Sequence, residues 1–195
     1  MDVNSFVDEL RTRSREAFIP VMREQTTRLL GDIVRKYNPR EILEIGTGEG
    51  VSGITALANC TGRLTTIDID EDAILRAKEN LEKCNLRPRC EFILGDCVEV
   101  ISLMDNRYDF VILDGPKGQY AKIYELLFPM LEKGGIIFAD DIKYLGLVEK
   151  DGTPAHKHRT IVNTMRRFID TLKEDTRVSV AFYDIEDGVA VAEKL

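Results

Sequence analysis

The sequence predicts an α/β protein built on a Rossmann-like, mostly parallel seven-stranded sheet, with helices on both faces and an antiparallel C-terminal hairpin. Three observations predict it. Short apolar runs alternate with amphipathic helical stretches along most of the chain. The strand candidates are apolar enough to be buried on both faces, as in a parallel sheet covered by helices. The last two runs are separated only by Glu186-Asp187-Gly188, a turn signal that joins antiparallel neighbours.

Each element follows in order along the chain. Two helices are expected over about 3–16 and 21–37. Residues 41–45 form the first strand, and a helix follows over about 52–59. The second strand, 64–68, leads to a helix opening near Glu71 and running through Ala73, Leu75, Ala77 and Leu81. Residues 90–94 give the third strand, 98–104 a short helix and 108–114 the fourth strand. A helix over 120–131 is expected to stop at Gly134-Gly135, ahead of a fifth strand at 136–139. After a helix over 160–173, the runs 178–185 and 189–193 form the hairpin on the sheet edge.

At 195 residues the chain fits one domain, 1–195, with N-terminal helices over 1–37 and a Rossmann-like core over 40–195. Hydrophobic residues make up 44% and charged residues 31%, which is ordinary for a globular protein. No apolar run approaches the roughly 18 residues needed to span a membrane. The polar start MDVNSFVDELRTRSREAF lacks the apolar core of a signal peptide, so a cytoplasmic protein is expected. A net charge of −7 and a pI near 5.0 argue against broad electrostatic binding of nucleic acid. Cys60, Cys84, Cys90 and Cys97 lack the close pairs of a zinc or redox site and read as reduced, mostly buried thiols.

The first strand ends in Glu44-Ile45-Gly46-Thr47-Gly48-Glu49-Gly50. Ligands of open α/β sheets sit beyond the carboxyl ends of the strands, where the strand order reverses. Gly46, Gly48 and Gly50, with Thr47 among them, let the backbone turn tightly and approach such a ligand. Acids mark the neighbouring strand ends. Glu44 precedes the first glycine by two, and Asp68 closes the second strand, placed to accept both ribose hydroxyls of a nucleotide. Asp96 and Cys97 follow the third strand near where an adenine would lie. A dinucleotide-dependent dehydrogenase would prefer GxGxxG, and the sixth position here is Val51. Ser52 is placed either to hydrogen-bond the ligand or to cap the following helix.

The fourth strand ends at Asp114 and the fifth at Asp140-Asp141. Adjacent parallel strands bring these acids together, and three carboxylates in one cleft repel unless protonated or bridged by a cation. Oxygen-only donors favour Mg²⁺, with Ca²⁺ or Mn²⁺ as alternatives. The competing reading has Asp140 or Asp141 capping the loop after the strand. Lys117, three residues beyond Asp114, is either a catalytic group or a solvated lysine.

These motifs together resemble the cation-dependent O-methyltransferases that include the catechol and caffeoyl-coenzyme A O-methyltransferases and their bacterial relatives. The matching stretches are EIGTGEGVS at 44–52, TTIDID at 65–70, LGDC at 94–97, LDGPKGQY at 113–120, FADDIKYLGLV at 138–148 and YDIEDGVAVAEK at 183–194. The resemblance implies the class I methyltransferase fold and S-adenosylmethionine as cofactor, leaving as S-adenosylhomocysteine. It assigns Glu44, Gly46, Thr47, Gly48, Gly50, Ser52, Asp68, Asp96, Cys97 and Asp114 to cofactor binding. Asp114, Asp140 and Asp141 become the metal ligands, and Lys117 with Asp114 the catalytic pair. Two departures are visible: the family's usual Asp-Asn pair is Asp140-Asp141, and Gly115-Pro116 replaces the more common Ala-Asp or Ala-Ala. The cation would lower the pKa of an acceptor hydroxyl, and Lys117, with its own pKa depressed, would take the proton.

The acceptor stays open between two classes. One is a small vicinal diol, catechol-like. The other is a hydroxylated wobble uridine in tRNA, because LDGPKGQY, GLV and HRTIVNTMRRF resemble the bacterial tRNA 5-hydroxyuridine methyltransferases. A basic rim of Lys143, Lys150, Lys157, Arg159, Arg166 and Arg167 favours RNA, and the overall acidity favours a small molecule. His156 and His158 lie in the same polar loop and read as solvent-exposed. A non-catalytic cofactor-binding module is the alternative of another class, which the four residues Asp114, Lys117, Asp140 and Asp141 argue against. Phe6, Leu10, Phe18, Ile19 and Met22 are suited to covering the active site or to a dimer contact, and the resemblance implies a homodimer.

Overall fold

The computed structural model describes residues 2–195. Helices α1 (Val3–Glu16) and α2 (Glu24–Tyr37) precede the alternating core. That core runs β1 (Glu41–Ile45), α3 (Val51–Ala58), β2 (Arg63–Asp68), α4 (Glu71–Lys83), β3 (Cys90–Leu94), α5 (Cys97–Leu103), β4 (Tyr108–Leu113), α6 (Tyr120–Leu127) and β5 (Leu131–Ala139). Helix α7 (Arg159–Glu174) then leads to β6 (Val178–Tyr183) and β7 (Val189–Lys194). The seven strands lie in the order β3-β2-β1-β4-β5-β7-β6, with β1 to β5 parallel and β7 antiparallel to both its neighbours. The order reverses between β1 and β4, where such sheets bind ligands.

Period-two alternation along each strand feeds two separate cores, because successive side chains point to opposite faces. Ile42, Leu64, Phe110, Ile112 and Phe138 pack against Leu10, Leu30, Leu57 and Leu81 from α1 to α4. Leu43, Val111, Leu113 and Ile137 pack against Ile101, Ile123, Leu127 and Phe168 from α5 to α7. Both faces are therefore covered, as the apolar strands require.

Several boundaries differ from those the sequence predicts. Helix α6 stops at Leu127, and a 3₁₀ turn, Phe128-Pro129-Met130, follows, because Pro129 has no backbone N–H with which to continue the helix. Gly134 and Gly135 do not end that helix; they lie inside β5, where the pairing jumps from Tyr108↔Leu131 to Phe110↔Ile136. Helix α2 starts at Glu24, not 21, because residues 21–23 run outside any helix after Pro20. The four cysteines are free, Cys90 and Cys97 buried and Cys60 and Cys84 half-buried. Among the described residues no helix is long and apolar enough to cross a membrane.

Candidate active site

The ends of β1, β4 and β5 lie side by side, and each ladder continues one residue past its strand. The Gly46 amide donates to the Ile67 carbonyl (2.9 Å), Asp114 to Ile45 (3.0 Å) and Asp140 to Leu113 (3.0 Å). This holds Asp114 and Asp140 at the rim of the sheet. Gly46 has φ of +96°, and a Cβ there would stand 2.2 Å from the Asp114 carbonyl oxygen, so only glycine fits the crossing. Tyr120, fully buried, shares its hydroxyl proton between the carbonyls of Leu113 (3.0 Å) and Asp140 (3.2 Å), tying β4 to β5.

Above these ends lies a cavity of about 490 Å³, within the size range of small-molecule sites. Gly46, Thr47, Gly48, Ser52 and Asp68 line it together with Asp114, Lys117, Asp140 and Asp141. Residues 19–23, the Glu49–Arg76 ion pair, Val51, Asp70 and Ala73 complete the lining. An adjoining pocket of about 380 Å³ shares Gly46, Asp68 and Asp114 and adds Asp96, Cys97 and Pro116.

The glycine turn is held from beneath by acids. Asp68 Oδ2 accepts the amides of Thr47 (2.8 Å) and Gly48 (3.1 Å), and its Oδ1 accepts the amide of Asp70 (3.0 Å). Glu44 is fully buried and does not line the cavity. Its two oxygens accept the hydroxyls of Ser52 (2.6 Å) and Thr66 (2.6 Å), and Thr66 meets the Thr47 hydroxyl at 2.7 Å. Burial pushes the Glu44 carboxyl up to about 7, against the two hydroxyls, which lower it. Ser52 therefore neither caps α3, whose N-cap is Gly50, nor faces the cavity freely; its hydroxyl is given to Glu44. Gly50 stays outside the cavity lining, its face packed against Ala77 and Leu81 of α4. Asp96 caps α5 by accepting the amides of Val98 (2.9 Å) and Glu99 (3.2 Å).

Across the cavity, Asp114, Asp140 and Asp141 each offer a carboxylate oxygen within 4.8 Å of the others. Asp140 is 3% exposed, and its Oδ1 accepts the Asp141 amide (2.6 Å). Lys117 Nζ sits 3.2 Å from both Asp114 and Asp141. Burial, followed by the neighbouring acids, holds Asp140 well above the usual carboxylate range. Burial also raises Asp114, with Lys117 opposing and Asp141 adding to the rise. Three acids with one ammonium have a deficit of positive charge, and oxygen-only donors at this spacing fit a hard divalent cation. Lys117 departs from the depressed pKa expected of a base. Burial alone would lower it, but Asp114 and Asp141 outweigh burial and hold the ammonium above the ordinary lysine value.

Several expectations about the surroundings change as well. The basic rim is partly spent inside the fold: Arg166 donates to the carbonyls of Val148 (3.0 Å) and Lys150, and Lys143 pairs with Glu149 and Asp184. Lys150, Lys157, Arg159 and Arg167 remain exposed. His156 is exposed, whereas His158 is half-buried with its Nδ1 3.2 Å from the Tyr144 hydroxyl. Phe6, Leu10 and Met22 are buried in the core of their own chain, Ile19 lines the cavity and Phe18 is 94% exposed. Sequence reasoning missed Tyr120, the Glu49–Arg76 pair and residues 20, 21 and 23. Pro20 marks a break between helices, but nothing in the local pattern says that the break passes over a cavity.

The family model for O-methyltransferases matches residues 2–195. The tapetum-specific methyltransferase 1 of Arabidopsis thaliana is 31% identical over 173 residues, covering 85% of this chain and 74% of its own. The caffeoyl-CoA O-methyltransferase of Populus kitakamiensis is 28% identical over 177 residues, covering 86% and 75%. Among solved structures, the O-methyltransferase of Bacillus cereus in complex with S-adenosylhomocysteine superposes with a TM-score of 0.86 at 23% identity, covering 98% of this chain and 91% of that one. That last likeness concerns the fold.

Proposed function

The chain belongs to the O-methyltransferase family, and we propose that it transfers the methyl group of S-adenosylmethionine to one hydroxyl of a small vicinal diol, with a divalent cation at Asp114, Asp140 and Asp141. The observation that carries this reading is the three-carboxylate cluster, within 4.8 Å, beside a cavity that also runs along the glycine turn. The caffeoyl-CoA relative supports a vicinal-diol acceptor, since a caffeoyl group carries two adjacent phenolic hydroxyls. The Bacillus cereus complex supports the cofactor.

In this reading the turn Gly46–Gly48 and Asp68 hold the nucleoside, while Asp96 and Cys97 border the adenine in the adjoining pocket. Glu44 acts from below by fixing Ser52 and, through Thr66, Thr47. Asp114, Asp140 and Asp141 would hold Mg²⁺, or Mn²⁺ or Ca²⁺ in its place, which would supply polarisation of the acceptor oxygens and engage the carboxylates that otherwise hold Lys117 protonated. Lys117, largely buried and within reach of the cluster, would be the group that receives the hydroxyl proton at Nζ once those carboxylates are engaged. The acceptor oxygen forms its bond to the methyl carbon as the carbon–sulfur bond breaks, and the sulfur keeps the electron pair. Much of the rate comes from holding the two reactants at contact distance between the turn and the cluster.

A wobble 5-hydroxyuridine of tRNA is the second reading, favoured by the exposed Lys150, Lys157 and Arg159. Labelled cofactor, offered side by side with a catechol panel and hypomodified tRNA, tests both. Expected is transfer to the diols, abolished by EDTA and restored by Mg²⁺. Transfer to tRNA alone overturns the choice of acceptor. Cofactor binding with no transfer to either supports a non-catalytic module.

A further inference from the structure

The turn between β6 and β7 holds both walls of the cavity at once. Its residue Glu186 reaches the N-terminus of α2, whose own N-cap residue, Arg23, supplies no side-chain cap. The Glu186 carboxylate accepts the amides of Gln25 (3.1 Å) and Thr26 (2.9 Å) and the Thr26 hydroxyl (2.9 Å). A carboxylate there satisfies two of the helix's free amides and complements the positive end of its dipole. Residues 19–23, which line the cavity, lead directly into that helix end.

The next residue, Asp187, works on the opposite wall. It is 6% exposed, and its carboxylate accepts the amides of Leu145 (2.6 Å) and Gly146 (3.1 Å). The Lys143 amide donates to the Asp187 carbonyl (2.8 Å) and the Ile142 amide to the Gly188 carbonyl (3.1 Å). Four amides of the stretch that follows Asp141 thus end on two residues of one turn. That stretch needs the support: Asp141, Tyr144, Leu145 and Gly146 have φ of 55°, 46°, 58° and 68°. Non-glycine residues in the left-handed region cost about 1–3 kcal/mol each and persist only where their surroundings fix them. Gly188 lets the turn come this close, since a Cβ there would stand 2.6 Å from the Lys143 Cγ.

We propose that Glu186 and Asp187 form a two-sided clasp that sets the geometry of the site: Glu186 positions the cofactor-side segment 19–23, and Asp187 positions Asp141 in the cation-binding cluster. Both are positioning residues, since neither lines the cavity. The inference rests on the cofactor and cation proposed above, and it goes further by giving the two neighbours separate duties.

Calorimetric titrations with S-adenosylhomocysteine and with Mn²⁺, on wild type, Glu186→Ala and Asp187→Ala, test it. Asp187→Ala is expected to weaken Mn²⁺ at least about tenfold while S-adenosylhomocysteine stays within about twofold. Glu186→Ala is expected to do the reverse. Asp187→Asn keeps one acceptor oxygen for the loop amides and is expected to recover part of the Mn²⁺ affinity; it also stands in should the alanine variant fail to fold. Equal losses of both ligands that track a falling thermal midpoint would mean a merely structural turn and overturn the clasp. So would variants that match wild type. A wild type that binds neither ligand overturns the proposed function, and the clasp with it.

Discussion

On the glycine-turn side of the cavity, the fully buried Glu44 and the half-buried Asp68 find donors within the fold. Glu44 takes the hydroxyls of Ser52 and Thr66, and Asp68 takes the amides of Thr47, Gly48 and Asp70. On the far side, Asp114 and Asp141 share one ammonium, that of Lys117, Asp140 accepts only the Asp141 amide, and burial with mutual repulsion raises Asp114 and Asp140 above the usual range. The two sides are built from the same kind of residue at the same kind of position, the end of a parallel strand. What separates them is the supply of donors. The first side has its donors as folded, whereas the second is short of them, and the proposed cation site rests on that shortage.

The largest effect should come from the far side. Lys117→Met is expected to lower kcat by about 10²–10⁴-fold, the usual worth of a positioned proton acceptor. Mn²⁺ affinity should hold or rise in the same variant, because the competing ammonium is gone. Steady-state rates and a Mn²⁺ titration check the pair, and a variant that loses Mn²⁺ along with turnover would show that the lysine belongs to the cation site rather than to proton transfer.

Next is the crossing beneath the turn. Gly46→Ala would set a methyl against the Asp114 carbonyl oxygen at a φ that alanine avoids. A loss of at least about 2 kcal/mol in stability is expected, together with weaker S-adenosylhomocysteine binding. Denaturant unfolding and calorimetry read the two.

The last effect sits under the turn and shows only in how stability depends on pH. Glu44 rises from 4.5 to about 7 on folding, so between these values the folded chain holds a proton that the unfolded chain has released. Its contribution is therefore greatest below 4.5 and is lost as pH rises, by up to roughly 3 kcal/mol, levelling off above about 7. Glu44→Gln should flatten that part of the pH–stability curve, measured as the thermal midpoint between pH 4.5 and 8. An unchanged slope would place the titration elsewhere, with Asp114 and Asp140 the other raised acids in the cavity.

How much of this was legible in the sequence depends on how local each signal is. The glycine turn and the acids at the strand ends were readable because turn chemistry and strand ends are written within a few residues. The juxtaposition of Asp114 with Asp140 and Asp141 followed from strand adjacency alone. Gly134-Gly135 misled because a glycine pair reads as a stop, while pairing with β4 carried the strand through it and Pro129 ended the helix earlier. The protonation of Lys117 was only half readable: Asp114 is near it in sequence, but Asp141, also 3.2 Å away, reaches it only through the fold. The contacts of Glu186 with α2 were out of reach for the same reason. They join residues about 160 positions apart, and Glu186-Asp187-Gly188 spells only a turn.

The contrast between the two sides comes down to whether the far cluster takes up a cation. Calorimetric titration of Mn²⁺ into the protein loaded with S-adenosylhomocysteine measures this directly, for wild type and for Asp140→Ala. One Mn²⁺ bound per wild-type chain, and none in the variant, is the expected result. No uptake by the wild type, or undiminished uptake by Asp140→Ala, would contradict it.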